Sequence, residues 1–135
     1  MSAKPETTFI NGVHKHLNPG RIDPYYMKLH NEYAGGIWDC WYSGKARDLW
    51  IEYKFITIPK RNTTLIVPEL SELQLQWGRA RYAEGRNLAV IVGCKEGGVI
   101  LEDLEWEKGM AASAFKVQVR SRKEVAEWVV SRTQK

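Results

Sequence analysis

Glu52 and Lys54 stand two residues apart in the segment Trp50-Ile51-Glu52-Tyr53-Lys54-Phe55. Side chains alternate along an extended strand, so both point to one face. The rest of the segment is apolar enough to read as an interior strand, where unpaired charge is costly. Asp39, on the preceding stretch, can be brought alongside by a hairpin. Two carboxylates on neighbouring strands offer oxygen ligands to a hard divalent cation such as Mg²⁺. Such an ion polarises a phosphate and lowers the pKa of a bound water. A lysine beside it orients the nucleophile or offsets charge that develops in the transition state. The chemistry expected is hydrolysis of a phosphodiester. Asp48 is a rival acid, four residues before Glu52 and on the same predicted face, but it sits close to the hairpin turn, and Asp39 is preferred. An E-x-K triplet by itself is more often a solvated ion pair than a site.

The elements around these residues are legible in outline. Pro5 and Glu6 suit a first helical turn. Phe9, Ile10, Val13 and Leu17 follow at helical spacing until Asn18-Pro19-Gly20, which predicts a helix over Glu6 to Leu17. Tyr25 to His30 reads as a strand and Ala34-Gly35-Gly36 as a loop. Ile37 to Tyr42 and Leu49 to Ile56 form a predicted hairpin across Ser43-Gly44-Lys45. The stretch from Thr57 to Pro68 is an exposed connection with room for a short strand. Ser71 caps a second helix whose apolar stripe is Leu70, Leu73, Trp77 and Ala80 and which ends at Glu84-Gly85.

Leu88 to Val92 has the pattern of a strand buried on both faces, and Val99 to Leu101 that of its neighbour. Phe115 to Val119 reads as a strand, and Ser121 to Glu124 as a capping box opening a last helix with Val125, Trp128 and Val129 on one side. The fold class expected is α/β, a mixed central β-sheet flanked by α-helices.

The 135 residues fit one domain over 1–135, with 44% hydrophobic and 27% charged residues and no internal repeat. Cys40 and Cys94 lack partners at zinc-site spacing and read as reduced core thiols. No run of about 18 apolar residues and no leader pattern is present, so neither a membrane span nor a secretory signal is expected. A cytosolic setting, in a bacterial or phage-infected cell, follows. The net charge of +4 favours polyanionic partners weakly.

Gly35-Gly36-Ile37-Trp38-Asp39, Leu49 to Lys54, Leu70 to Gln74 and Glu84 to Val92, taken in order, resemble the successive motifs of PD-(D/E)XK nucleases. Within that superfamily they are most similar to the virus-type replication-repair nuclease (VRR-NUC) and Holliday-junction-resolvase-like branch. The resemblance spans about Glu6 to Leu101 and implies a restriction-endonuclease-like core. It implies that Asp39 and Glu52 are ligands of Mg²⁺, for which Mn²⁺ can substitute. It implies further that the Tyr53 carbonyl joins them, that Lys54 is the catalytic lysine, and that Gln74 lies close to the lysine or the scissile phosphate. Glu6 falls where many members complete the metal shell. Trp38 departs from the pattern, since the family name records a proline before the aspartate.

DNA is the partner implied, as substrate for structure-selective cutting of junctions or flaps in viral replication, recombination or repair. Sequence-specific cutting of the homing or restriction type, and a DNA-binding module that has lost turnover, are the alternatives. Phosphate contacts need Lys or Arg around the site. The candidates are Lys15 with His14 and His16, Lys45 and Arg47, Lys60 and Arg61, and Arg79 and Arg81. Of six tryptophans and six tyrosines, Trp41 and Tyr42 are candidates for base stacking or a dimer contact. A homodimer or higher homo-oligomer is expected, because a compact nuclease that cuts both strands often pairs two sites across a two-fold axis.

Overall fold

A computed structural model describes residues 4–17, 24–29 and 35–134. The readings placed on Asn18-Pro19-Gly20, His30 and Ala34 lie outside the described residues. Helix α1 spans Pro5–His14, and strands β1 Tyr25–Lys28, β2 Cys40–Ser43, β3 Asp48–Phe55 and β4 Leu65–Ile66 follow. Helix α2 covers Glu72–Ala83 and leads to β5 Leu88–Cys94 and β6 Gly97–Leu101. The chain then forms α3 Glu105–Lys108, β7 Met110–Ala111, α4 Ala112–Gln118 and α5 Arg122–Gln134.

The main sheet has the order β1-β2-β3-β5-β6. Only β3 and β5 run parallel, a pairing that needs a crossover, and α2 lies in that crossover. Every residue of β5 is buried, as its unbroken apolar run requires. Side-chain alternation on β3 then divides the core. Ile51 and Tyr53 join Phe9, Ile10, Val13, Val125 and Val129 beneath α1 and α5. On the opposite face Val90, Val92, Val99 and Leu101 pack with Trp38, Trp106, Ala112 and Phe115. Trp50, Glu52 and Lys54, in register with Leu88, Val90 and Val92, share this second face.

Packing rather than capping holds α1. Its N-terminus has no side-chain cap, a loss of about 1 kcal/mol. Burial of Phe9, Ile10 and Val13 contributes about 1.5–3 kcal/mol each. The capping box at Ser121 forms as expected, Ser121 N–H donating to Glu124 Oε1 and Glu124 N–H to Ser121 Oγ. Cys40 and Cys94 are buried free thiols.

Several boundaries differ from expectation. The helical backbone of α1 stops at His14, and β1 stops at Lys28. Asp39 precedes β2 instead of lying within a strand from Ile37 to Tyr42. Phe115 to Val119 is helical up to Gln118 rather than extended: Ala112 and Phe115, three apart, are the buried pair, and Val117 is 86% exposed. The alternating Phe115, Val117 and Val119 gave a period of two that the tertiary packing does not use. On α2 the stripe is also different. Leu70 and Trp77 pack against the second core as expected, but Leu73 is 55% exposed and Ala80 is exposed, and Leu75 and Gly78 face that core in their place.

Candidate active site

The hairpin β2–β3 pairs Cys40 with Ile51. Extended by one residue, that register sets Asp39 opposite Glu52. Because Asp39 sits in a bend ahead of the strand, its backbone N–H leaves the ladder and donates to Glu52 Oε1 at 3.1 Å. The Tyr53 N–H donates in turn to Asp39 Oδ2 at 3.1 Å. Leu29 N–H donates to the Asp39 carbonyl at 2.6 Å. Both the backbone and the side chain of Asp39 are therefore held, and the backbone of Tyr53 is fixed at the same place. Asp48 is exposed, pairs with Ser43 at the far end of the hairpin, and joins none of these bonds.

Trp38 stands where the resembled motif has a proline. It is fully buried, its indole N–H donates to the Gln74 carbonyl at 3.0 Å, and it packs against Trp77 and Trp106. Gly78 makes room for it, since a Cβ there would lie 2.6 Å from Trp38 Cζ2. An indole locked under α2 thus fixes the backbone that presents Asp39.

Glu52 is 1% exposed. Its Oε2 accepts from Gln74 Nε2 at 2.9 Å and lies 3.4 Å from Lys54 Nζ. Burial pushes its carboxyl up to about 8, with repulsion from Asp39 adding to the rise and Lys54 opposing it. Gln74 reaches it from the N3 position of α2, where Ser71 and Gln74 form a reciprocal capping box. Glu6, in the first turn of α1, has its carboxyl pushed upward by partial burial and by Asp39, against the pull of Lys54. The fold therefore brings Asp39, Glu52, Lys54, Gln74 and Glu6 into one electrostatic neighbourhood.

Beneath the strand lies a buried polar chain that the sequence did not suggest. Tyr53 and Tyr42 hydroxyls are 2.5 Å apart, and the Tyr42 hydroxyl is 2.7 Å from His14 Nε2. Burial, with nearby Lys28, lowers His14 to about 4. His14 and Tyr42, expected as a phosphate contact and a stacking residue, are core groups instead, because each satisfies the other's buried polar atom. Trp41 packs between Tyr25 and Trp50.

The basic candidates are dispersed. Lys15 follows α1, Lys45 and Arg47 lie in the hairpin turn, and Lys60 and Arg61 lie in the connection after β3, all exposed. Arg79 forks onto Glu107 through Nε and Nη2. Arg81 lies over the Trp77 ring and pairs with Glu84. Arg47 and Arg81 converge on one cleft, together with Arg86, which sequence reasoning missed.

Among the described residues no three His, Cys, Asp or Glu side chains form a ready cage for a metal ion. The donor set nonetheless fits a hard cation that takes one or two carboxylates and fills its remaining positions with other oxygens. Two carboxyl groups are pressed together, and the buried one resists ionisation, the strain that a bound cation relieves.

With 12% sequence identity, the structure of the Holliday junction resolvase Hjc from Archaeoglobus fulgidus, an archaeal hyperthermophile, superposes at a TM-score of 0.52 over 90% of this chain and 99% of that one. The chain has a restriction-endonuclease-like fold. Neither a family model nor a curated protein sequence matches it. The resolvase-like fold carries the five-stranded mixed sheet with helices on both faces, as the order of elements predicted. No helix among the described residues is long and apolar enough to cross a membrane.

Proposed function

We propose that the chain is a metal-dependent DNA endonuclease of the VRR-NUC and resolvase-like branch of PD-(D/E)XK nucleases, selective for branched substrates such as junctions or flaps. The observation that carries this reading is the buried Glu52 carboxylate, set against Asp39 and bonded to Gln74 beside Lys54. Asp39, Glu52 and the Tyr53 carbonyl would hold Mg²⁺ or Mn²⁺, with Glu6 closing the shell. When bound, the cation polarises the scissile phosphate and activates a water.

The protein groups do the rest. Asp39 and Glu52 are oriented by backbone N–H donors, which hold the two carboxyl groups in fixed positions before any ligand arrives. Lys54 is held against Glu52 and supplies positive charge where the transition state gains negative charge. Gln74 fixes the Glu52 rotamer through Oε2. Lys15, Lys45, Arg47, Lys60, Arg61, Arg79 and Arg81 are the proposed phosphate contacts, Arg79 after release from Glu107. A homodimer or higher homo-oligomer, working in the cytoplasm of a bacterial or phage-infected cell on viral DNA, would bring two such sites to a branched substrate.

The test is cleavage of a four-way junction, a flap, a nicked duplex and a linear duplex, each with Mg²⁺ and with chelator. Cutting of branched DNA that stops with chelator and with Glu52→Gln supports the proposal. Absence of cutting with both Mg²⁺ and Mn²⁺ sinks it in favour of a DNA-binding module, and cutting of linear duplex at one sequence favours a restriction-type activity.

A further inference from the structure

The cleft beside the site has a chemistry of its own. Along β3 the side chains sharing the face of Glu52 are Asp48, Trp50 and Lys54, and α2 presents Gln74, Trp77 and Arg81 in successive turns. Gln74 meets Glu52, and the Trp77 ring meets Trp50 with centroids 5.3 Å apart. One turn further, Arg81 and Asp48 line a cleft of about 730 Å³ that Trp50 and Trp77 also line. That volume is within the range of sites for small ligands, about 300–1,000 Å³. Three guanidinium groups surround the same opening, Arg47 together with Arg81 and Arg86, which share Glu84 at 2.8 and 3.7 Å and would turn from it to a phosphate.

Two details point to a ligand. The buried Nε of Arg81 has no hydrogen-bond acceptor: Glu84 Oε1 is 2.8 Å away but out of line for a bond. Arg47 makes no ion pair among the described residues, although its turn is firmly built. Ala46 N–H and Arg47 N–H both donate to the Thr133 carbonyl, at 3.0 and 3.2 Å. A rigid turn thus carries, beside two indoles, a guanidinium with no ion pair among the described residues.

A bare anion does not fit this cleft well. Asp48 and Glu84 line it, and the C-terminal end of α2 contributes the negative end of the helix dipole. A nucleotide suits the mixture better. Its base stacks on indole, its amino groups donate to carboxylates, and its phosphate meets arginine. Trp50 is two residues from Glu52 on the same face, about 6.6 Å along the strand, close to the length of one nucleotide in an extended chain. A base locked in a duplex cannot reach the indoles without unstacking.

We propose that this cleft binds an unpaired nucleotide flanking the scissile phosphate, its base stacked on the Trp77 ring in place of the Arg81 guanidinium and edge-on to Trp50, whose ring lies at 69° to that of Trp77, and its phosphate held by Arg47, Arg81 and Arg86. The inference rests on the nuclease reading for its substrate and adds the feature by which branched DNA is told from duplex.

The test uses the full chain in chelator, so that binding is read without cleavage. Fluorescence anisotropy is measured with a duplex bearing a three-nucleotide gap, the same duplex with abasic linkers in the gap, and a fully paired duplex. Abasic linkers weaken binding of the starting protein about tenfold or more. Arg47→Ala with Arg81→Ala weakens the gapped duplex about tenfold and the paired duplex much less. Trp77→Leu abolishes the difference between intact and abasic gaps, and Trp77→Phe, which keeps a stacking face, restores it. If Trp77→Leu does not fold, the arginine variants and the abasic comparison decide. Equal affinity for intact and abasic gaps, or equal loss on paired and gapped DNA, overturns the cleft. Base-dependent binding by a protein that never cuts DNA overturns the nuclease reading instead and leaves the cleft standing.

Discussion

The Gln74 side chain donates to Glu52 Oε2 at 2.9 Å while its own carbonyl oxygen accepts from the Ser71 N–H at 2.9 Å. One amide therefore joins the cap of α2 to the buried carboxylate. Gln74→Glu keeps an N3 side chain able to complete the capping box but puts an acid against Glu52. It should melt close to the parent protein while cleavage falls about 10–100-fold, as for loss of a group supporting a metal ligand. Gln74→Ala should also lose about 1 kcal/mol of stability with the cap. Equal cleavage by Gln74→Glu and the parent, measured on a flap substrate, would remove Gln74 from the site.

Asp39 and Asp48 are separated by the same test. Asp39→Asn removes a charge beside Glu52 and should lower cleavage by about 100-fold or more, on the scale of losing one electrostatic group in a site. Asp48, four residues from Glu52 along the strand, lies about 13 Å away. Asp48→Asn, which touches the neighbouring cleft and not Glu52, should lower cleavage far less than Asp39→Asn. The reverse ranking in single-turnover rates would reassign the second carboxylate.

Two buried groups set opposite limits on the pH range of the metal-free fold. His14 drops from 6.5 to about 4 on folding, so the stability it contributes is complete above pH 6.5 and is lost as pH falls toward 4. The groups facing it are the Tyr42 hydroxyl, the rings of Tyr26 and Tyr53, and Lys28. Glu52 rises from 4.5 to about 8, so its contribution is complete below pH 4.5 and is lost as pH climbs toward 8. Thermal melts in chelator should show a plateau of highest stability between about pH 4.5 and 6.5, where the two slopes offset each other, with Glu52→Gln flattening the alkaline limb and His14→Phe the acid one. A Glu52→Gln profile that still declines from pH 6 to 8 as the parent does would contradict the Glu52 assignment. Added Mg²⁺ should raise the melting temperature most at the alkaline end, where Glu52 is ready to ionise.

Gly78→Ala tests the seat of Trp38. Alanine favours a helix over glycine by about 1 kcal/mol. Its methyl carbon would meet Trp38 Cζ2 at 2.6 Å, and Trp38 is confined between Trp77 and Trp106. Overpacking costs about 1–3 kcal/mol, so the variant should be destabilised in urea melts. Because Trp38 precedes Asp39, cleavage should fall further than stability. A Gly78→Ala protein as stable and active as the parent would show that the indole has room to move.

The face shared by Glu52 and Lys54 was fixed by strand alternation, which needs no knowledge of partners. The buried run of β5, the helical face of Phe9 and Val13 and the capping box at Ser121 were equally local, and the mixed sheet followed from their order. Asp39 was legible through the predicted hairpin as well as the motifs, and Gln74 and Glu6 as partners of Glu52 through the motifs alone, because their approach depends on how α2 and α1 cross the sheet. Alternation alone misled at Phe115 to Val119, where two buried residues gave too few contacts to reveal a short helix.

Only the tertiary structure decided which polar groups were spoken for. His14 and Tyr42 turned inward to satisfy each other, Arg79 was drawn onto Glu107, and Trp38 was tied to the Gln74 carbonyl. Those outcomes depend on partners 28 to 36 residues away in the chain, a distance that no local pattern of residue types encodes. The Glu52 carboxylate was named from its sequence position, but its elevated pKa came from the burial and the Asp39 neighbour that folding supplied.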